Sequence, residues 1–177
     1  AACSYEARAF GIHSAMPMRT ALRLCPHAVV TGGGRSEYSR YSRWVTEIIA
    51  TRAPLFEKAS IDEFYIDLSG MEKYHHPFEW TITLREEIMR QTGLPISFGL
   101  AANKMVAKMA TDEAKPNGYL HIPSGKERSF LAPLKVNKIP GVGDQLFQTL
   151  TSWGIQTIGD LASWPAEVLE AHLGKYG

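Results

Sequence analysis

Apolar and polar positions recur with clear periods through the middle of the chain. From Ser36, the positions Tyr38, Tyr41, Val45, Ile48 and Ile49 return at helical spacing until Pro54, predicting one long helix. The stretch "FEKASIDEFYIDLS", Phe56 to Ser69, then has strand-like composition on both sides of Ile61 and Asp62. Trp80, Leu84 and Ile88 mark a second helix that closes at Gly93. In "LPISFGLA", Ile96, Phe98 and Leu100 alternate with small or polar residues, the period of a half-buried strand. "NKMVAKMATDEAK" reads as a helix ended by Pro116-Asn117-Gly118, and "YLHI" as a short return strand. Residues 36–122 thus run helix, strand, strand, helix, strand, helix, strand. That order predicts an α+β architecture of ferredoxin-like type, an antiparallel sheet with helices on one face.

The flanks differ from this middle. Up to about Gly34 the chain has short helical patterns around "MRTALRLCP" and a glycine boundary in "TGGGR", predicting a small, loop-rich subdomain. Beyond Pro123, short helices broken by "IPGVG", "WGIQTIGD" and "LGKYG" predict a compact all-α module whose core holds Trp153, Ile155, Ile158, Leu161 and Trp164. Helical segments flank Pro140-Gly141-Val142-Gly143, the pattern of a helix-hairpin-helix. Glycines there let a phosphate approach the backbone, and N–H groups at the next helix start face it, so Gly141, Val142 and Gly143 are candidates for gripping a DNA backbone without reading sequence.

Composition narrows the class. A 45% hydrophobic content supports ordinary cores, and no apolar run approaches the roughly 18 residues of a membrane span. The start "AACSYEARAF" shows neither a basic leader nor an apolar signal core, and Cys3 and Cys25 form no metal-like spacing, so the expected location is cytoplasmic. The net charge of +1 is unevenly spread: residues 1–52 carry seven Arg against three Glu, residues 53–122 seven basic against ten acidic, and the rest is balanced. A basic head suits phosphates, and clustered carboxylates suit divalent cations.

The candidate chemistry lies in three strings. Asp62 and Glu63 stand side by side where strand alternation would waste one of them. With strands at Leu55–Ser60 and Glu63–Leu68, Ile61 and Asp62 become a hairpin tip, where alternation breaks and both carboxylates can converge. Paired hard oxygen ligands suit Mg2+ with its waters and substrate phosphates; the plainer alternative is a turn cap and a solvated charge. In "SYEAR", Tyr5 and Arg8 lie one helical turn apart, so a phenol and a guanidinium fork can grip one phosphate. In "AKPNG", Lys115 ends a helix, where it either favours the helix terminus or reaches a triphosphate. His75-His76 before Pro77 is a weaker metal candidate.

Together "SYEAR", "SIDE", "AKPNG" and "IPGVG", in this order and spacing, resemble the Y-family, or translesion, DNA polymerases, most closely the bacterial DNA polymerase IV type. The resemblance implies fingers in residues 1–33, a ferredoxin-like palm in 34–122 and an all-α helix-hairpin-helix thumb in 123–177. It implies that Asp62 and Glu63 are catalytic and hold metal, that Tyr5, Arg8 and Lys115 hold the incoming nucleotide's triphosphate, and that Ser60 supports the motif. It further implies a two-metal Mg2+ site, primer-template DNA and deoxynucleoside triphosphates as partners, and a sliding clamp bound through a C-terminal region; no membrane is involved. The family's first palm strand, with another metal-binding aspartate and the steric gate, lies upstream of "SYEAR", where this sequence has only "AACS". Neither Asp67 nor Asp112 replaces that aspartate. Ala2 stands where relatives often have a phosphate-contacting threonine. The chain is therefore expected to be a fragment lacking that strand and the C-terminal little-finger domain, and to be inactive or nearly so by itself. The alternative is a non-catalytic, polymerase-like DNA-binding or assembly factor, which has no need of the acidic pair.

Overall fold

The computed structural model describes residues 2–73 and 76–174, and the chain divides into two compact units, residues 1–64 and 65–177. His75 and the final residues of "LGKYG" lie outside the described residues.

In the first unit, Ser4 caps the short helix α1 (Tyr5–Arg8) by accepting a hydrogen bond from the Ala7 N–H. Helix α2 spans Met18–Leu24. Ile12, Ala21 and Cys25 form a small core with Cys3, Ala7, Met16 and Ala28 packed on it, and both cysteines are free thiols. Helix α3 (Arg35–Arg52) buries Ser42, Val45, Ile48 and Ile49. Its buried stripe is one residue out of step with the aromatic positions expected at its start, since Tyr38 is exposed and Tyr41 only half-buried. The helix stops two residues before Pro54, and Ala53 is already extended, as the residue preceding a proline must be.

Strand β1 (Leu55–Lys58) pairs with β2 (Phe64–Asp67), and the division between the units falls within β2. The hairpin tip is longer than the expected Ile61-Asp62 pair: residues 59–63 form it, closed by the Ala59 and Ser60 N–H groups on the Glu63 carbonyl at 2.9 and 3.2 Å. A two-residue tip needs positive φ, which Ile61 and Asp62 do not favour, so the chain takes a wider turn.

In the second unit, helix α4 (Pro77–Thr92) has proline in its first turn and a left-handed Gly93 at its end. Strand β3 (Phe98–Leu100), helix α5 (Lys104–Ala114) and strand β4 (Tyr119–His121) follow. The expected antiparallel sheet is corrected here: β3 and β4 are parallel, with Phe98 opposite Tyr119 and Leu100 opposite His121. Helix α5 is the crossover that returns the chain to the same end, which is what a parallel pair requires. Gly99 lets β3 press on α5, because a Cβ there would meet the Ala107 carbonyl oxygen and come within 2.7 Å of the Ala110 methyl. Val106, Ala110 and Ile122 form the core of this layer.

Short helices complete the unit: α6 (Glu127–Leu131), α7 (Asp144–Ser152), α8 (Ile158–Ala162) and α9 (Ala166–Leu173), with a 3-10 turn at Val136–Lys138 before α7. Val136, Leu150 and Ile155 are fully enclosed, with Trp153, Leu161 and Trp164 packed around them and the two indoles stacked at 6.0 Å. Among the described residues no helix is long and apolar enough to cross a membrane.

Candidate active site

The hairpin tip is organised by one hydroxyl. Ser60 Oγ accepts from the N–H groups of Asp62 and Glu63 at 3.3 and 3.1 Å and donates to Asp62 Oδ1 at 2.7 Å. Three hydrogen bonds from one short side chain fix a turn that has no glycine. Asp62 is exposed there and Glu63 half-buried, so the two adjacent carboxylates differ in environment. Among the described residues no three His, Cys, Asp or Glu side chains gather as a metal-binding group. The acidic pair is thus a two-carboxylate donor set, and Mg2+ is commonly held by one or two carboxylates with waters and substrate phosphates.

Tyr5 and Arg8 share one face of α1, with the guanidinium carbon 5.8 Å from the phenol ring centre. Arg8 also donates weakly to Ser14 Oγ at 3.4 Å, and both side chains are exposed. Beside them, the Glu6 carboxyl is held below its usual range by its own backbone N–H and the Ser4 hydroxyl. That carboxylate therefore closes the helix start.

Lys115 belongs to the second unit, at the C-terminal end of α5, where its ammonium pairs with Asp112 Oδ1 at 2.7 Å. A polyphosphate would have to draw Lys115 from that exposed pair, an exchange that costs little because exposed pairs are worth about 0–1 kcal/mol. The turn that carries Lys115 is held by a residue the sequence reading did not single out. Arg85 on α4 donates to the Ile96 carbonyl at 2.8 Å and, through one terminal nitrogen, to the carbonyl and side-chain oxygens of Asn117 at 2.9 and 2.8 Å. Asn117 adopts φ 50°, a left-handed conformation that asparagine tolerates. A lone arginine on a helix face carries no sequence signal of partners 11 and 32 residues away.

At the Pro140–Gly143 turn, Gly141 has φ 98° and Gly143 precedes α7. The Val142 N–H is already used, donating to the Ile139 carbonyl at 3.0 Å, and its side chain packs on the helical core. Val142 thus builds the turn, which leaves the Gly141 and Gly143 amides without an acceptor among the described residues. Lys138, just before the turn, pairs with Glu113 of α5 at 2.7 Å.

The sequence and the fold both have close relatives. The impB/mucB/samB family profile matches residues 1–112. Relatives called DNA polymerase IV are 44% identical in Dehalococcoides mccartyi strain CBDB1 and 43% in Xanthomonas euvesicatoria pv. vesicatoria strain 85-10, each over 99% of this chain. The chain spans about half the length of these curated relatives, 45% and 49%. Among solved structures, DinB from Sulfolobus solfataricus superposes with a TM-score of 0.89 at 31% identity, covering 98% of this chain and 51% of that one. An insertion ternary complex of Dbh DNA polymerase gives 0.87 at 31% identity, with the same two coverages of 98% and 51%. With more than half of its length matched by the profile, the chain belongs to the impB/mucB/samB family, the Y-family DNA polymerases that its motifs resemble.

Proposed function

We propose that the protein carrying this chain is a translesion DNA-directed DNA polymerase, transferring nucleotides to a primer 3′-hydroxyl under the direction of a template. In this reading residues 1–33 are fingers, 34–122 palm and 123–177 thumb. The observation that carries it is the Ser60-braced tip, which presents Asp62 and Glu63 at adjacent positions of a fixed turn in a chain of polymerase sequence.

Asp62 and Glu63 would hold Mg2+ by hard oxygen donors, Asp62 from the solvent side and Glu63 from its half-buried position. Bound there, the ion supplies charge neutralisation and activation of the attacking hydroxyl. Tyr5 would donate one hydrogen bond to the triphosphate, Arg8 a planar fork and Lys115 a point charge. Arg85 would keep Lys115 in place through Asn117. Gly141 and Gly143 would let a duplex phosphate approach the backbone without sequence preference. Two carboxylates alone bind Mg2+ weakly, so the 177-residue chain by itself is expected to extend primers slowly or not at all. A role in DNA damage tolerance, a sliding clamp as partner and a cytoplasmic location accompany this reading.

Nucleotide binding tests it. In the full-length protein, Tyr5→Ala and Arg8→Ala should each weaken deoxynucleoside triphosphate affinity by about tenfold, the loss of one charge-assisted or well-placed hydrogen bond. Unchanged affinity in both variants would overturn the assignment.

A further inference from the structure

Beside the acidic tip, one face of α3, strand β1 and Ile61 of the tip border an open groove of about 400 Å³ lined by Ser39, Ser42, Arg43, Thr46, Lys58 and Ile61. Two cations and three hydroxyls line it, and among the described residues no carboxylate does. The Arg43 guanidinium makes no hydrogen bond or ion pair among the described residues. Lys58 donates to Thr46 Oγ1 at 3.0 Å and lies 5.5 Å from the Phe64 ring, with no acidic partner among the described residues. Helix hydroxyls ordinarily bond back to a carbonyl one turn earlier, as Ser39 does to Arg35 and Thr46 to Ser42. Ser42 does not. Its residue is only 7% exposed, and its Oγ is buried with no hydrogen-bond partner. A buried hydroxyl without a partner costs stability, so its presence in a cationic groove needs a reason.

We infer that this groove is an oxyanion site of the phosphate class, in which Arg43 and Lys58 supply charge and Ser42 donates its otherwise unused hydroxyl hydrogen. A phosphate needs several donors converging on a small volume, and the groove has donors of both kinds and room for one such group. The chemistry is the same whether the phosphate belongs to a nucleic-acid backbone or is free. The site does not depend on the catalytic reading of Asp62 and Glu63.

The test is a titration of the isotope-labelled full-length protein with inorganic phosphate at constant ionic strength, chloride being the reference anion. Saturable amide shifts are expected at Ser39, Ser42, Arg43, Thr46 and Lys58. The double variant Arg43→Ala with Lys58→Met should bind phosphate about tenfold or more weakly, whereas the control Arg90→Ala, which removes a cation on α4, should bind it as the parent does. Ser42→Ala should raise the melting midpoint without phosphate and shrink the rise that phosphate produces. A parallel titration with a short DNA duplex separates the sources. If the double variant loses duplex affinity and its salt dependence falls by about one phosphate contact per lost cation, the group is a backbone phosphate. If only inorganic phosphate binding is lost, the group is a free phosphate. The inference is overturned if neither phosphate nor duplex distinguishes the double variant from the parent, if Arg90→Ala loses as much, or if Ser42→Ala leaves the phosphate response intact.

Discussion

Single side chains set the local geometry more than their exposure suggests. Ser60 is exposed, yet it accepts from two backbone N–H groups and donates to Asp62. Ser60→Ala should destabilise the fold by about 1 kcal/mol and speed amide exchange at Asp62 and Glu63, both measurable by hydrogen exchange. Asp160 is the second case. Its carboxylate accepts from the Thr157 and Gln156 N–H groups at 2.8 and 3.1 Å, while its own N–H donates to the Thr157 hydroxyl, a reciprocal cap on α8. Those contacts, the Thr157 N–H first, hold the Asp160 carboxyl below its usual range. A group with a lower pKa folded than unfolded contributes stability above the unfolded value and loses it as pH falls through the folded one. Asp160→Asn should therefore flatten the acid side of the stability–pH curve, read as denaturation midpoints from neutral pH downward.

At the scale of elements, close approach and crossovers decide what periodicity leaves open. The helix and strand order of residues 36–122 was legible because α3, α4 and α5 keep helical spacing, and Pro54 and Gly93 mark ends that the backbone obeys. The direction of the β3–β4 pair was misread as antiparallel, although a strand–helix–strand run is itself the signature of a parallel crossover. The tip length was misread because a hydroxyl's hydrogen bonds, invisible to hydropathy, widen the turn. The Arg85 clamp was missed since its partners lie far along the chain. Gly99→Ala should cost about 1–3 kcal/mol or more by forcing β3 off α5, seen as a lower denaturant midpoint with an unchanged slope. Arg85→Ala should release the Asn117 turn and cost about 2–3 kcal/mol. Proteolysis would detect the loosened segment around Lys115.

For the whole molecule, the proposed function assigns the acidic tip, the helix that carries Tyr5 and Arg8, and the glycine turn to one DNA polymerase. Gly143 tests the glycine turn cleanly, since a Cβ there meets nothing within 4 Å and its φ of −83° suits any residue. Gly143→Ala should keep the fold's stability while weakening duplex binding, since the proposed function has a phosphate approach the backbone there. The most direct test of the central claim is Mg2+-dependent primer extension by the full-length protein with Asp62→Asn or Glu63→Gln, each shown to be folded. The account predicts a fall in rate of about a hundredfold or more, equivalent to about 3 kcal/mol of barrier, with duplex affinity retained. Extension at the parental rate in both variants would contradict it.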